Sequence, residues 1–275
     1  MFNFIANIFG YLLNFLYNLL NNYGLAIIIF SILVKLLLLP LTIKQQKTME
    51  KTTKMQEEMK ALQFKYKNDQ EKLSKEMMDL YKRENMSPFC GCLSSIAQII
   101  LILAVFYLVR SPLTYMKKID AATINDYKNK IETKTNYPEV EIIKEFSKEN
   151  EVLYVNMDFL GLDLSSVPSN NLKDYKNLII PLMYVISSIV STKMTMKMQN
   201  NNMAISKKEE GQEESMEDMM QGTTKTMSYM MPVMAFSISL VAPLGLALYW
   251  LMSNILMILE RIFINKFIKI KEEEA

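Results

Sequence analysis

Long apolar runs alternate along the chain with blocks that are dense in charged side chains. Residues 1–34 contain no Lys, Arg, Asp or Glu, and runs with almost no charge recur at 93–109, 177–192 and 226–259. A helix needs about 20 apolar residues to cross a bilayer, so each run is long enough, or nearly so, to span one. The alternation predicts an all-α, polytopic membrane protein.

Five transmembrane helices are predicted, together with an outer amphipathic helix and a cytoplasmic helical hairpin. The predicted spans are residues 23–43, 92–110, 176–194, 227–242 and 243–264. The last two nearly touch, because a helix is hard to continue through Pro243, and they can be joined only by a tight turn.

The N-terminal segment, residues 1–22, has the periodicity of an amphipathic helix. Its five asparagines fall within about a 60° arc at 100° per residue, and they are Asn3, Asn7, Asn14, Asn18 and Asn21. A narrow amide stripe suits a helix that lies at the bilayer surface. An uncleaved first span is the alternative, and a cleaved signal peptide is not expected because no basic region precedes the apolar residues.

Positive charges near the ends of the spans predict the orientation. Lys44 and Lys47 follow the first span, Lys193 and Lys197 lie at the end of the third, and Arg261 lies at the end of the fifth. With five spans these residues share one side, which the positive-inside rule assigns to the cytoplasm. We therefore expect a multi-pass membrane protein, with the N-terminus outside and the C-terminus in the cytoplasm.

The polar segments outside the spans are predicted to form a helical hairpin, two loops and a C-terminal tail. Residues 44–85 have the apolar periodicity of the cytoplasmic hairpin, and Asn68 with Glu71 forms a capping-box-like start of its second arm. The basic face of this hairpin could contact anionic lipid, the ribosome or a nascent chain, but its acidic residues fit a solvated surface equally well. The external loop, the mobile cytoplasmic loop and the cytoplasmic tail are predicted at residues 111–175, 195–226 and 265–275.

The composition excludes several kinds of catalytic site. The chain has no histidine, so no Ser–His pair, Cys–His pair or HExxH zinc site can be built. Its two cysteines, Cys90 and Cys92, lack the further ligands of a metal or redox site. We expect neither an enzyme nor a cofactor or metal site.

Lys35 is the one charged residue in the interior of the first predicted span. It lies nine residues before Lys44, or about 14 Å along a helix, and so near mid-bilayer. An ammonium there costs ~2.5–3.5 kcal/mol by insertion scales. The other predicted spans contain one acidic residue, Glu260, close to a cytoplasmic end. We therefore expect no permanent ion pair at the depth of Lys35, and uncharged polar groups around it instead.

Uncharged polar side chains on several spans are candidates for lining a hydrated groove around Lys35. These candidate groove residues are Ser31, Thr42, Ser94, Ser95, Gln98, Ser187, Ser188, Ser191, Ser253 and Asn254. A hydrated cation without a fixed partner could bind a transient anion. Two simpler explanations stay open: the lysine stem could reach the inner headgroups, and the hydroxyls could join helices to one another.

Several short motifs recur in a characteristic order along almost the whole chain. They are residues 23–28, 34–41 and 91–93, Gln98, residues 159–164, 230–232 and 243–250, and Ser253 with Asn254. In this order and spacing they resemble the YidC/Oxa/Alb membrane protein insertases, in the short Gram-positive form. The resemblance implies a hydrophilic groove that is open to the cytoplasm and to lipid. It places Lys35 where relatives usually have arginine, so the positive charge is kept but the guanidinium fork is lost.

The resemblance implies that a polar tail of a substrate protein enters the groove while its apolar helix slides along the third and fifth spans into lipid. The candidate slide residues are Ile179, Ile180, Val185, Ile186, Leu246, Trp250 and Met257. The expected partners are nascent membrane proteins and the lipid bilayer. The Sec translocon, the signal recognition machinery and the ribosome are further candidates, and no nucleic-acid specificity is expected. One alternative is a secondary transporter of a small anionic solute, which would require acidic residues within the spans. The other is a purely structural assembly factor.

Overall fold

The computed structural model describes residues 2–84, 90–131, 135–203, 230, 232–264 and 266, and over these residues the protein is mostly helical. The helices are α1 (Phe2–Leu20), α2 (Tyr23–Lys65), α3 (Gln70–Arg83), α4 (Cys90–Arg110), α5 (Pro112–Tyr115), α6 (Ala121–Lys130), α7 (Pro138–Phe146), α8 (Lys176–Met203), α9 (Pro232–Val241) and α10 (Leu244–Phe263). One two-stranded antiparallel hairpin joins β1 (Asp158–Phe159) to β2 (Leu162–Asp163). The all-α class is therefore confirmed.

Three helices are long and apolar enough to cross a membrane, and they are Tyr23–Thr48 of α2, Lys176–Met196 of α8, and α10. Two shorter apolar segments, of between 10 and 17 residues, are Ile100–Arg110 of α4 and the helix α9. Both segments fall short of the roughly 20 residues that a span requires. Three candidate spans are thus established, and the count of five stays a prediction.

The helix α2 continues unbroken from the first predicted span into the first arm of the predicted hairpin, although Pro40 lies inside it. The second arm, α3, begins one residue later than the capping-box pattern indicated. Its N-cap is Asp69, whose carboxylate accepts a hydrogen bond from the backbone nitrogen of Lys72 at 3.0 Å. The prediction of Asn68 as the N-cap was wrong. Asn and Asp can both cap a helix, and only the backbone angles show which of the two residues does so.

The described residues divide into two compact units. The first unit contains α1, α2 up to Leu36, the segment from Leu101 to Met194, and α9 and α10. The second contains the rest of α2, together with α3, α4 up to Ile100, and the end of α8 from Thr195. In this second unit the side chains of Arg83 and Glu58 form an ion pair between α3 and α2.

In the first unit, the segment predicted as the external loop folds into short helices, of which α5 packs against α1. Glycine is required at position 10, because a Cβ atom there would lie only 1.9 Å from the backbone oxygen of Tyr115 in α5. The opposite face of α1 is apolar and exposed, and it consists of Phe4, Ile8, Tyr11, Phe15 and Leu19. Whether this face lies at the bilayer surface stays a prediction.

Helix α8 extends beyond the predicted end of the third span. It runs to Met203, so the first residues of the segment predicted as a mobile loop are helical. The remainder of that loop, 204–226, lies outside the described residues, as does most of the cytoplasmic tail at 265–275. The prediction of a loop from residue 195 was wrong because a polar composition lowers hydropathy without ending a helix.

Candidate functional site

The ammonium of Lys35 forms an ion pair inside the first unit. Its Nζ atom lies 3.3 Å from Oε2 of Glu260 on α10. The side chain of Lys35 is 20% exposed, whereas that of Glu260 is only 7% exposed. The expectation that Lys35 has no fixed counter-ion was therefore wrong, because Glu260 is its counter-ion.

The relative depth of the two helices explains this pair. A Cβ atom at Gly245 would lie 3.4 Å from the ring of Tyr23, so α2 and α10 start side by side. Lys35 lies 12 residues beyond Tyr23 and Glu260 lies 15 residues beyond Gly245. The difference of three residues is a rise of about 4.5 Å, which the long stem of a lysine can span.

The carboxylate of Glu260 is incompletely satisfied. Its second oxygen, Oε1, is buried and has no hydrogen-bond partner within the described part of the chain. The contact of Oε2 with Lys35, at 3.3 Å, is longer than the roughly 2.7–2.9 Å of a strong charge-assisted hydrogen bond. The pair is therefore a loose one, with acceptor capacity left on the buried partner.

Arg261, the residue after Glu260, connects α10 to α8. Its Nη1 atom donates a hydrogen bond to the backbone oxygen of Ser191 at 3.2 Å. The rings of Tyr184 on α8 and Trp250 on α10 also approach one another, with their centroids 5.9 Å apart. The sequence indicated Arg261 only as a marker of orientation, because nothing in its spacing shows which backbone oxygen it meets.

Three of the hydroxyls predicted to line the groove donate to the backbone of their own helices. Ser31 is buried one helical turn before Lys35 and donates to the backbone oxygen of Ile27 at 2.7 Å. Ser187 donates to Tyr184 at 2.7 Å, and Thr42, in the second unit, donates to Leu38 at 3.3 Å. Such hydroxyls keep their acceptor lone pairs but have used their hydrogen.

The other predicted groove residues fall into three groups. Ser191 is buried on α8, and Ser188, Ser253 and Asn254 are half-buried on α8 and α10. The side chains of Ser94, Ser95 and Gln98 lie outside the described residues, although the backbone there is helical. Among the residues whose side chains are described, Lys35 has a single polar partner, Glu260.

The predicted slide residues are divided between exposed and buried positions. Ile179 and Ile186 are exposed on α8, whereas Val185, Trp250 and Met257 are half-buried. Ile180 and Leu246 are buried, so they pack between helices and are not part of an exposed surface. The apolar face that α8 exposes consists instead of Ile179, Leu182, Met183, Ile186, Ile189 and Val190. We call these six residues the α8 face.

A buried carboxylate also lies outside the spans, at Glu139 of α7. It accepts hydrogen bonds from the backbone nitrogen and the hydroxyl of Thr114, at 2.9 and 2.7 Å. Burial raises the pKa of Glu139, and the hydrogen bonds from Thr114 partly oppose that rise. The contact fastens α7 to α5 and has no direct link to Lys35.

Two comparisons with known proteins match almost the whole chain. The family model described as "60Kd inner membrane protein" matches residues 15–273. The membrane protein insertase YidC of Fusobacterium nucleatum subsp. nucleatum is 25% identical over 266 residues, which are 97% of this chain and 97% of that protein.

Two longer relatives match part of their own length. YidC of Treponema denticola is 26% identical over 265 residues, which are 96% of this chain but 38% of that protein. YidC of Francisella tularensis subsp. novicida is 37% identical over 109 residues, which are 40% of this chain and 20% of that protein. Because the family model covers most of the sequence, the chain belongs to the 60Kd inner membrane protein family, that is, the YidC/Oxa/Alb family.

Proposed function

We propose that this protein is a membrane protein insertase and chaperone of the bacterial plasma membrane. It moves short polar tails of client proteins past Lys35 and releases their apolar helices into lipid. The observation that carries this proposal is a partly exposed ammonium within an apolar helix, held by a buried carboxylate. Such intramembrane ionisable residues are costly and are typical of functional sites.

Lys35 lowers the cost of bringing a polar tail into the membrane. Transferring an unpaired amide or hydroxyl out of water costs roughly 2–7 kcal/mol, and a carboxylate costs far more. A client carboxylate beside the ammonium recovers part of that cost by attraction. The half-buried side chains of Ser188, Ser253 and Asn254 are then candidates to form hydrogen bonds with the backbone of the tail. From the sequence alone, Ser94, Ser95 and Gln98 are further polar residues proposed to contact a client tail.

The α8 face provides the route for the apolar helix of the client. Its side chains are exposed along a single side of the helix, and Ile186 is the most exposed of them at 63%. An apolar client helix in contact with this face remains shielded from water. Its final burial in lipid supplies the driving force, so no nucleotide is required.

The partners and the orientation follow from the same proposal. Nascent membrane proteins and lipid are the direct partners, with the N-terminus of the chain outside and the C-terminus in the cytoplasm. The Sec translocon, the signal recognition machinery and the ribosome are candidate partners of the hairpin formed by the end of α2 and by α3. The exposed lysines Lys44 and Lys47 on α2 support an electrostatic contact there.

A secondary transporter of a small anionic solute is the alternative function. The Lys35–Glu260 pair is the observation that favours a transporter, since intramembrane ion pairs occur in transporters that couple a solute to a proton. The insertase is preferred because relatives that match this chain carry that name.

The test is insertion into liposomes that contain the purified full-length chain. The client has one apolar span and a short acidic tail, and protease protection of the tail reports its transfer. Lys35→Arg should preserve insertion, whereas Lys35→Ala and the double variant Lys35→Ala/Glu260→Ala should reduce it. The double variant is included because it leaves no unpaired buried carboxylate. Lys128→Ala, at an exposed position of α6, is the matched control.

Insertion by the wild-type protein that is no faster than in empty liposomes would refute the proposed function. Equal insertion by every variant would refute the role of Lys35 and leave the role of the α8 face to be tested. Uptake of a labelled small anion, without insertion of any client, would instead support the transporter.

A further inference from the structure

We propose that Glu260 sets the preference of the groove for the charge of client tails, because it competes with client carboxylates for Lys35. This inference rests on the proposed function and adds a specificity-determining residue to it. The competition arises because the ammonium already has an anionic partner in the protein itself.

A client carboxylate must therefore exchange with Glu260 at the ammonium. Glu260 is the only polar partner of Lys35 among the described side chains. A tail carboxylate that approaches gains only the difference between its own contact and the one it displaces. The wild-type groove consequently favours acidic tails less than an unpaired cation would.

The long contact distance makes this exchange feasible. A separation of 3.3 Å is longer than an optimal charge-assisted hydrogen bond, and Lys35 is the more exposed partner. The ammonium sits on a flexible four-carbon stem, so it can turn towards a client group without movement of α2. The less mobile carboxylate stays buried on α10.

The unpartnered oxygen of Glu260 gives the site a second mode of binding, in which hydrogen-bond donors of the client are bound. Its Oε1 atom is buried and unpartnered within the described residues, in a side chain that is more than nine-tenths buried. A backbone N–H or a cationic side chain of a client tail can donate to this buried oxygen only after Lys35 has turned away from Glu260. Arg261, the next residue, donates to the backbone oxygen of Ser191 and makes no hydrogen bond to Oε1 of Glu260.

The charges of Lys35 and Glu260 cancel, so the pair can receive tails of either sign, and Arg261 beside Glu260 adds one positive charge to its surroundings. Lys35 binds carboxylates and Glu260 binds N–H donors, and each group limits the attraction of the other. Replacement of Glu260 by an uncharged residue should convert the site into one that selects acidic tails and disfavours basic tails.

The experiment uses three clients that share one apolar span and differ only in a short tail with two Asp, two Asn or two Lys residues. Each client is inserted into liposomes of zwitterionic lipid that contain the full-length protein. Rates for the Asp and Lys tails are divided by the rate for the Asn tail of the same variant. This normalisation removes changes in protein amount and general activity.

Glu260→Gln should raise the Asp/Asn ratio by about tenfold, which is equivalent to about 1.4 kcal/mol, and lower the Lys/Asn ratio. In Lys35→Gln/Glu260→Gln the Asp/Asn ratio should not rise, because Glu260 acts through Lys35. Glu145→Gln removes the same charge at an exposed position of α7 and should behave as the wild type.

An Asp/Asn ratio that is unchanged in Glu260→Gln overturns the inference, and so does an equal rise in the double variant. If Glu260→Gln does not fold, Glu260→Asp provides the test instead. Its shorter side chain moves the carboxylate away from Lys35, so the Asp/Asn ratio should again rise. A wild-type protein that inserts no client refutes the proposed function itself, which is a different result from an unchanged ratio.

Discussion

Replacement of Lys35 by Met should destabilise the protein, and simultaneous replacement of Glu260 by Gln should restore much of the loss. Methionine keeps an unbranched apolar stem but removes the ammonium. The carboxylate of Glu260 is then left buried, with neither oxygen paired to a cation. In Lys35→Met/Glu260→Gln no charge remains at the site.

The distance and the burial of the pair set the size of the effect. Two unit charges 3.3 Å apart attract by about 5 kcal/mol at an effective dielectric constant of about 20. Desolvation offsets much of this attraction, but loss of one partner from a buried pair costs about 3–5 kcal/mol. We expect a loss of about 3 kcal/mol for Lys35→Met and about 1 kcal/mol for the double variant, with the 20% exposure of Lys35 favouring the lower end of the range.

The assay is unfolding in mixed detergent, followed by tryptophan fluorescence. Trp250 is the only tryptophan in the chain, and its ring contacts Tyr184, so its emission reports on the packing of α8 against α10. The double-mutant cycle is completed by Glu260→Gln, and Lys128→Met serves as the exposed control. The reasoning would be refuted if the losses of unfolding free energy in the two single variants add up to that of the double variant within about 0.5 kcal/mol, because independent sites behave in that way.

Three further predictions concern regions outside the ion pair. Gly10→Ala should loosen α1 from α5, since its Cβ would collide with the backbone of Tyr115, and faster proteolysis of α1 should follow. Glu139→Gln should flatten the pH dependence of stability. The raised pKa of Glu139 means that the folded state binds the proton more tightly, so wild-type stability should fall as the pH rises from the ordinary value of 4.5 through the raised one. Thermal unfolding of both proteins across that interval measures the effect, and parallel curves would contradict it. Asp69→Ala should destabilise α3 by about 1 kcal/mol through loss of its N-cap. The loss should appear as faster hydrogen exchange in the first turn of α3, and unchanged exchange there would exclude a capping role.

The spans could be recognised from sequence because hydropathy is a local property. α2, α8 and α10 each contain a window that is apolar enough to cross a bilayer, and each such window can be read without knowledge of its neighbours. Lys35 was recognisable as a functional candidate for the same reason, since a charge inside an apolar run is visible in one segment. These predictions required no information on how helices are packed.

The ion pair could not be predicted in this way, because it depends on the register between two helices. Distance from Lys44, at the end of the predicted span, gave the depth of Lys35, but the depth of Glu260 depends on where α10 starts beside α2. The same limitation applies to Ile180 and Leu246, whose burial is decided by neighbouring helices. Ser187 is a different case, because its hydroxyl donates to the backbone oxygen of Tyr184 within the same helix, a local alternative to lining a groove.

The contact between Gly245 and the ring of Tyr23 has a consequence for changes in chain length. One residue added to α2 between Tyr23 and Lys35 would turn the lysine by about 100° around the helix axis and move it about 1.5 Å further along. The ammonium would then point away from the carboxylate. Insertions and deletions in these two segments should therefore be tolerated only when they occur in matched steps in both helices.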